Sequence, residues 1–223
     1  MFEDRKNAGE KLANALKKYL PRRQAGKNKK VLVLAIPKGG VEVAYSVAKY
    51  LKADFSLLIS RKLPFPDNPE SGFGAIAEDG SVFINEEAAR WISQKEIERI
   101  KKEQIEEISR RIEILRKGKP LPKISGRTVI LIDDGLAMGS TMRAAITLCK
   151  KQEAKKIIVA APVSSKDVAE EIGKLVDEII VLEKPEFFHA VAQVYKNWYD
   201  VSDEEVIGIM RKWDKEKSCL EII

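Results

Sequence analysis

Apolar residues recur along the chain in two alternating rhythms. Short unbroken apolar runs at 31–36, 54–60, 128–132, 156–161 and 178–182 have the length of strands, and such runs suit parallel strands buried on both faces. Between them, apolar residues return every three or four positions, as on one face of a helix. This spacing predicts helices over 5–20 (Ala8, Leu12, Ala15, Leu16 and Tyr19, stopped by Pro21), 41–51, 93–117 (Ile97, Ile100, Ile108, Ile112 and Leu115), 139–152 and 165–174. A last helix is predicted from Ser202 to about Trp213. Ser93 with Glu96, and Ser202 with Glu205, have capping-box spacing at two of the helix starts. Glu98–Lys102, Glu106–Arg110, Glu107–Arg111 and Glu113–Lys117 would line the long helix with i,i+4 ion pairs on a solvated face, and that helix reads as a structural or oligomer-forming piece.

Two stretches break the alternation. Residues 63–73 are rich in Pro, Asp, Asn and Gly and predict a long loop, the kind that often carries function. Ala75-Ile76-Ala77 and Ser81-Val82-Phe83-Ile84 flank Asp79-Gly80 and predict a hairpin. The whole reads as one α/β domain over 1–223, with a mostly parallel sheet and helices on both faces.

The 223 residues are 44% hydrophobic and 33% charged, enough for a real core under a charged surface. A formal net charge of +6 favours anionic ligands. Acidic and basic residues are interleaved, so no nucleic-acid tail is expected, and the densest basic tract, Arg22 and Arg23 to Lys27, Lys29 and Lys30, reads as a solvated loop. Cys149 and Cys219 lack metal-ligand spacing, and Cys149 falls in a helical core pattern. No apolar run approaches the ~20 residues of a membrane span, and no signal stretch opens the chain, so a cytoplasmic protein is expected.

The chemistry concentrates in one segment. The run 129–132 leads into Asp133-Asp134-Gly135-Leu136-Ala137-Met138-Gly139-Ser140-Thr141, and then into a helix. A buried strand that turns into a helix start directs backbone N–H groups and the helix dipole at one point, which is where anions bind. Gly139 permits close approach, Ser140 and Thr141 add hydroxyl donors, and the two carboxylates can accept hydrogen bonds from sugar hydroxyls.

This segment resembles the signature of the type I phosphoribosyltransferases, in the form found in adenine-type salvage enzymes, which also place Ala at position 137. The resemblance implies a three-layer α/β/α fold with one antiparallel edge strand or hairpin and a small hood. It also implies that Asp133 and Asp134 hold the ribose and, indirectly through it or through water, a magnesium ion. Ala137, Met138, Gly139, Ser140 and Thr141 would wrap the 5-phosphate. Where the family usually carries Thr, this chain has Met138; the hydroxyl it does without, one hydrogen bond to a charged group, is worth about 1.5–3 kcal/mol. Further features extend the likeness over nearly the full length, to a branch of predicted phosphoribosyltransferases with no defined acceptor: Asp4-Arg5 with Ala8-Gly9, Arg61-Lys62-Leu63 with Asn68-Pro69-Glu70, Gly74-Ala75-Ile76-Ala77-Glu78 and Val201-Ser202-Asp203-Glu204-Glu205-Val206.

By the same resemblance, Lys38, Gly39 and Gly40 after the first strand would bind diphosphate, and Arg61 and Lys62 would sit near it. Lys38 and Arg61 would join Asp133 and Asp134 in catalysis. Residues 63–73 would be a lid, 93–117 an inserted helix, and 183–223 with the N-terminal helix a hood or flank. The loops after the first strand and after the strand 128–132 would share one crevice at the point where strand order reverses. Phe187 and Phe188 would stack on a base, although an aromatic pair is more often core. His189 reads as a surface residue. Trp91, Trp198, Trp213, Tyr195 and Tyr199 show no chemical spacing and read as packing. The expected reaction transfers a 5-phosphoribosyl group from phosphoribosyl diphosphate to a small-molecule acceptor, a nucleobase nitrogen, by a homodimer. The rival readings are a non-catalytic sensor of phosphoribosyl diphosphate or a nucleotide, acting on a partner or RNA, and hydrolysis or phosphorolysis of a ribosyl phosphate.

Overall fold

The computed structural model describes residues 1–21 and 28–220. Of the basic tract predicted as a loop, Arg22, Arg23 and Lys27 lie outside them, whereas Lys29 and Lys30 belong to the first strand, which starts earlier than the apolar run alone suggests. The main sheet is all parallel. Strands β1 (Asn28–Ala35), β2 (Ala53–Leu57), β6 (Thr128–Ile132), β7 (Lys156–Val163) and β8 (Glu178–Glu183) lie in the order β2-β1-β6-β7-β8. Strand order reverses between β1 and β6, as the resemblance implied. The predicted apolar runs follow from this arrangement, because alternate residues serve opposite faces. Val31, Val33, Ala35, Ile130, Ile132, Ile158 and Ala160 pack one core with α1 (Arg5–Ala15), α2 (Gly40–Leu51) and α7 (Asp203–Leu220). Leu32, Leu34, Val129, Leu131, Ile157, Val159 and Ala161 pack the other, with α5 (Ser140–Lys151) and Ile172 of α6 (Lys166–Gly173). Cys149 is buried there, and burial pushes its thiol up to about 12, which makes it an inert core residue.

A second sheet corrects the reading of 54–73. The run 54–60 is not one strand: β2 ends at Leu57, and β3 (Ser60–Phe65) starts an antiparallel sheet with β4 (Asn68–Ala77) and β5 (Val82–Ile84). Leu58 and Ile59 are buried between the two, so the apolar pattern runs straight through the change of sheet. The predicted loop 63–73 is the body of the β3–β4 hairpin. Its glycines make room for neighbouring backbone, not for a turn: a Cβ at Gly72 would lie 2.7 Å from the Leu63 carbonyl oxygen, and one at Gly74 would lie 2.2 Å from that of Phe83. Pro64 is tolerated because β3 is an edge strand with a register irregularity at that point. The β4–β5 pairing fulfils the hairpin expected around Asp79-Gly80.

After the one-turn helix α3 (Glu86–Ala89), the long helix α4 (Gln94–Arg116) is capped by Ser93, whose hydroxyl accepts from the Glu96 amide at 3.2 Å. Of its expected i,i+4 pairs, Glu107–Arg111 forms at 3.0 Å, whereas Arg110 turns back to Glu107 and Lys101 takes Glu98. Arg116 at its end is buried and forms a bidentate pair with Glu78, which also accepts from the Ile59 amide at 2.9 Å. That pair ties α4 to the junction between the sheets. Trp213 packs edge-on against Phe55 and Tyr45, as core, whereas Trp91 is exposed.

Removing one partner from a buried pair leaves an uncompensated charge. Glu78→Ala should therefore lower unfolding free energy by about 3–5 kcal/mol in urea titrations. A loss below about 1 kcal/mol would place the pair among ordinary surface bridges.

Candidate functional site

Strands β1 and β6 run in register from Val31–Thr128 to Ala35–Ile132, and the Ile36 amide donates to the Ile132 carbonyl at 2.9 Å. Both strands therefore leave the sheet at the same level. Pro37-Lys38-Gly39-Gly40 turns into α2, with the Pro37–Lys38 peptide cis, and Asp133-Asp134 turns toward α5. The two turns touch. A Cβ on Gly40 would lie 2.8 Å from the Asp133 Cα, and one on Gly39 would lie 1.8 Å from Asp134 Oδ2. The glycines are required because the acid pair occupies the space above them.

Asp133 Oδ1 accepts from the Asp134 amide at 2.9 Å. Burial, and then the adjoining Asp134 carboxylate, raise its pKa well above the ordinary carboxylate range. Asp134 has a different partner: Arg5 Nε reaches its Oδ2 at 2.8 Å. Tyr195 donates its hydroxyl to the Asp134 carbonyl at 2.7 Å, and burial raises the tyrosine pKa.

The following turn is pinned at its start and open at its end. The Leu136 amide donates to Val163, and Ser164 Oγ donates to the Leu136 carbonyl. Gly139 sits at φ +70° and starts α5. Ala137 and Met138 are exposed, Met138 by 63%. Among the described residues, the amides of Ala137, Met138 and Gly139 and the hydroxyls of Ser140 and Thr141 have no partner. The turn is therefore a set of unused donors at the N-terminus of a twelve-residue helix.

Of the other predicted residues, Lys38 lies in the first of these two turns, with Nζ 3.9 Å from Asp203 at the start of α7. Arg61 and Lys62 lie within β3: Arg61 Nε donates to Gln104 of α4 at 3.0 Å, and Lys62 donates to the Glu70 carbonyl across the hairpin. Burial, and then Arg111, pull the Arg61 pKa down. Among the described residues, no hydrogen bond or ion pair joins Arg61 or Lys62 to the crevice. Phe187 is exposed, while Phe188 packs against the small cluster of Phe2, Val194 and Tyr195. His189 is exposed, as expected. Two hollows lie elsewhere, one between β2, α4 and α7 near Arg116 and Met210, and one beside the β3–β4 turn and Trp91.

A model of the phosphoribosyl transferase domain matches residues 2–197. The chain belongs to this family. A Mycobacterium tuberculosis protein named "Putative phosphoribosyl transferase Rv0571c" is 35% identical over 212 residues, 94% of this chain and 46% of that protein. The chain thus spans about half the length of the curated relatives it matches. The crystal structure of TT1426 from Thermus thermophilus is 34% identical and superposes with a TM-score of 0.78, covering 96% of this chain and 99% of that one. The AQ2163 protein from Aquifex aeolicus, at 15% identity and a TM-score of 0.50 over 80% and 73% of the two chains, shares the fold. The matched span includes residues that motif reasoning passed over: Arg5, noted only for its likeness, and Tyr195, assigned to packing. Trp198 and Tyr199 follow close by, and both are part-exposed. Apart from the likeness that included Arg5, no period or motif marked these positions, and only the fold brings residues 2–5 beside 194–199. Among the described residues no helix is long and apolar enough to cross a membrane.

The raised Asp133 pKa has a stability consequence. Between the ordinary carboxylate range and its raised value, folded Asp133 keeps a proton that the unfolded chain releases. Stability therefore falls as pH rises across that window. In melts of the ligand-free protein from about pH 4 to about pH 8, Asp133→Asn should flatten part of that fall; identical slopes would contradict the assignment.

Proposed function

We propose that this phosphoribosyl transferase transfers a 5-phosphoribosyl group from phosphoribosyl diphosphate to a nucleobase nitrogen and releases diphosphate. The observation that carries the reading is the open turn 137–141, with its unused amides and hydroxyls, beside an acid pair and across a crevice from a Lys-Gly-Gly turn. The turn takes the 5-phosphate through main-chain donors. Asp133 and Asp134 take the ribose hydroxyls. Lys38, with the Gly39 and Gly40 backbone, takes the diphosphate; its charge favours departure of diphosphate with the bonding electron pair as the base nitrogen closes on C1 of the sugar. Holding sugar, leaving group and acceptor in one crevice supplies much of the rate.

Arg61 and Lys62 reach this centre only if the β3–β4 hairpin closes. Its exposed tip, residues 66–71, acts as the lid, excluding water from the activated sugar. Phe187, exposed beyond β8, stacks on the base. Magnesium fits the donor set in one way. Asp133 and Asp134 offer the hard oxygen donors it prefers, but no group of three metal-ligating side chains is clustered among the described residues. Asp133 and Asp134 would hold it indirectly, through ribose hydroxyls or water. Bound there, it would neutralise diphosphate charge.

Diphosphate release should be measured with phosphoribosyl diphosphate, magnesium and a panel of purine and pyrimidine bases. Turnover with a base supports transfer; tight binding with no release from any base supports the sensor instead. Lys38→Ala should lower kcat/KM by about 10- to 150-fold, the worth of one charge-assisted contact. Met138 is exposed, so Met138→Thr should leave folding intact and tighten ribose 5-phosphate about tenfold or more by restoring a hydroxyl donor. Unchanged affinity would remove that residue from the phosphate turn.

A further inference from the structure

The acid pair poses an electrostatic problem that the family motif does not solve. Two adjacent carboxyl groups in a half-buried crevice resist carrying two charges, and one of them tends to hold a proton. Asp134 has a counter-charge from outside the motif. Arg5 is 3% exposed, and its Nε lies 2.8 Å from Asp134 Oδ2. The other oxygen of Asp134 receives no protein N–H donor among the described residues.

Arg5 is itself held in place. Its NH1 donates to the Tyr199 carbonyl at 2.9 Å, and its guanidinium lies 4.0 Å from the centre of the Trp198 ring. Trp198 stacks on Tyr195, the residue that donates to the Asp134 carbonyl. Phe2 pairs with Tyr195, and its amide donates to the Val194 carbonyl at 2.7 Å. Asp4 caps α1 by accepting from the Asn7 amide, which fixes Arg5 as the first helical residue. The N-terminal segment and residues 194–199 thus form one assembly that aims a single guanidinium at a single carboxylate oxygen.

We propose that Arg5 is a positioning residue of the sugar subsite, clamping one oxygen of Asp134 over Gly39 and leaving the other to accept a ribose hydroxyl. The 2.8 Å contact holds Oδ2 in the space that Gly39 leaves open, where a Cβ would stand 1.8 Å from it. Rotation would cost the charged pair and strand a buried guanidinium. The hood is then an electrostatic part of the site as well as its cover. This inference rests on the ribose role given to Asp134 above. Arg5 Nε also lies over Gly39, 3.1 Å from where a Cβ would stand, but among the described residues no hydrogen bond or ion pair joins Arg5 to the 137–141 turn or to Lys38.

Calorimetric titration of the full chain with two probes, ribose 5-phosphate and inorganic phosphate, tests the proposal. Arg5→Ala should weaken ribose 5-phosphate by about 10- to 100-fold and leave inorganic phosphate within about twofold. Arg5→Lys keeps the charge but not the fork that bridges Asp134 and Tyr199, so it should recover part of the loss. In an Asp134→Asn background, the Arg5 substitution should have no further effect, since the two act as one unit. Should Arg5→Ala fail to fold, Arg5→Lys alone and in the Asp134→Asn background carries the same cycle. Equal losses for both probes, additive losses in the cycle, or tighter sugar binding without Arg5 would each overturn the proposal. If the wild-type chain binds inorganic phosphate but not ribose 5-phosphate, the sugar subsite itself is refuted and Arg5 falls with it. If wild type binds the sugar and Arg5→Ala does too, only the inference about Arg5 fails.

Discussion

Five residue pairs between β1 and β6, from Val31 with Thr128 to Ala35 with Ile132, set the level at which two chemically different turns emerge. The pairing is parallel, so both turns leave the same end of the sheet. It also falls where strand order reverses, so the helices that follow diverge and leave a crevice. A one-residue slip would exchange the core faces of β6 and carry Asp133 and Asp134 away from Gly39 and Gly40. The close fit of carboxylates over glycines is the local sign that the register is fixed.

Charge is handled differently on the two sides of that crevice. The turn at 137–141 offers dipoles and hydroxyls without a formal charge, suited to a phosphate. The acid pair carries charge that needs an external partner, and the partner comes from the first turn of α1. A buried ion pair is weak evidence for stability by itself. Here its geometry, a guanidinium wedged between an indole ring and a carboxylate, ties α1 and residues 198–199 to the turn after β6. The other buried arginine, Arg116, serves the frame: it bridges α4 and the junction between the sheets through Glu78, away from any chemistry.

The parallel sheet, its helices and the turn from Asp133 to Thr141 were legible because each is local. Apolar runs of strand length, helical spacing, and Ser-x-x-Glu caps at Ser93 and Ser202 depend on neighbours in sequence, and the Ser202–Glu205 box forms in both directions. The β3–β4 hairpin was not legible. Pro64, Gly72 and Gly74 are the residues that usually mark loops, and only the backbone of β3 and β5 lying against them shows that they serve a sheet. For the same reason the change of sheet at Leu58 and Ile59 is invisible: both positions are buried whichever sheet the strand joins.

By itself, then, the sequence determined the layered α/β class, the family, and the turn from Asp133 to Thr141, because these are written in contiguous residues. Only the tertiary structure decided which charge faces which. Arg5 and Asp134 are 129 positions apart, and Tyr195 reaches Asp134 across 61. No period or motif encodes such a pairing; it exists because the folded chain brings residues 2–5 and 194–199 together beside one strand end, where the buried Arg5 guanidinium meets Asp134.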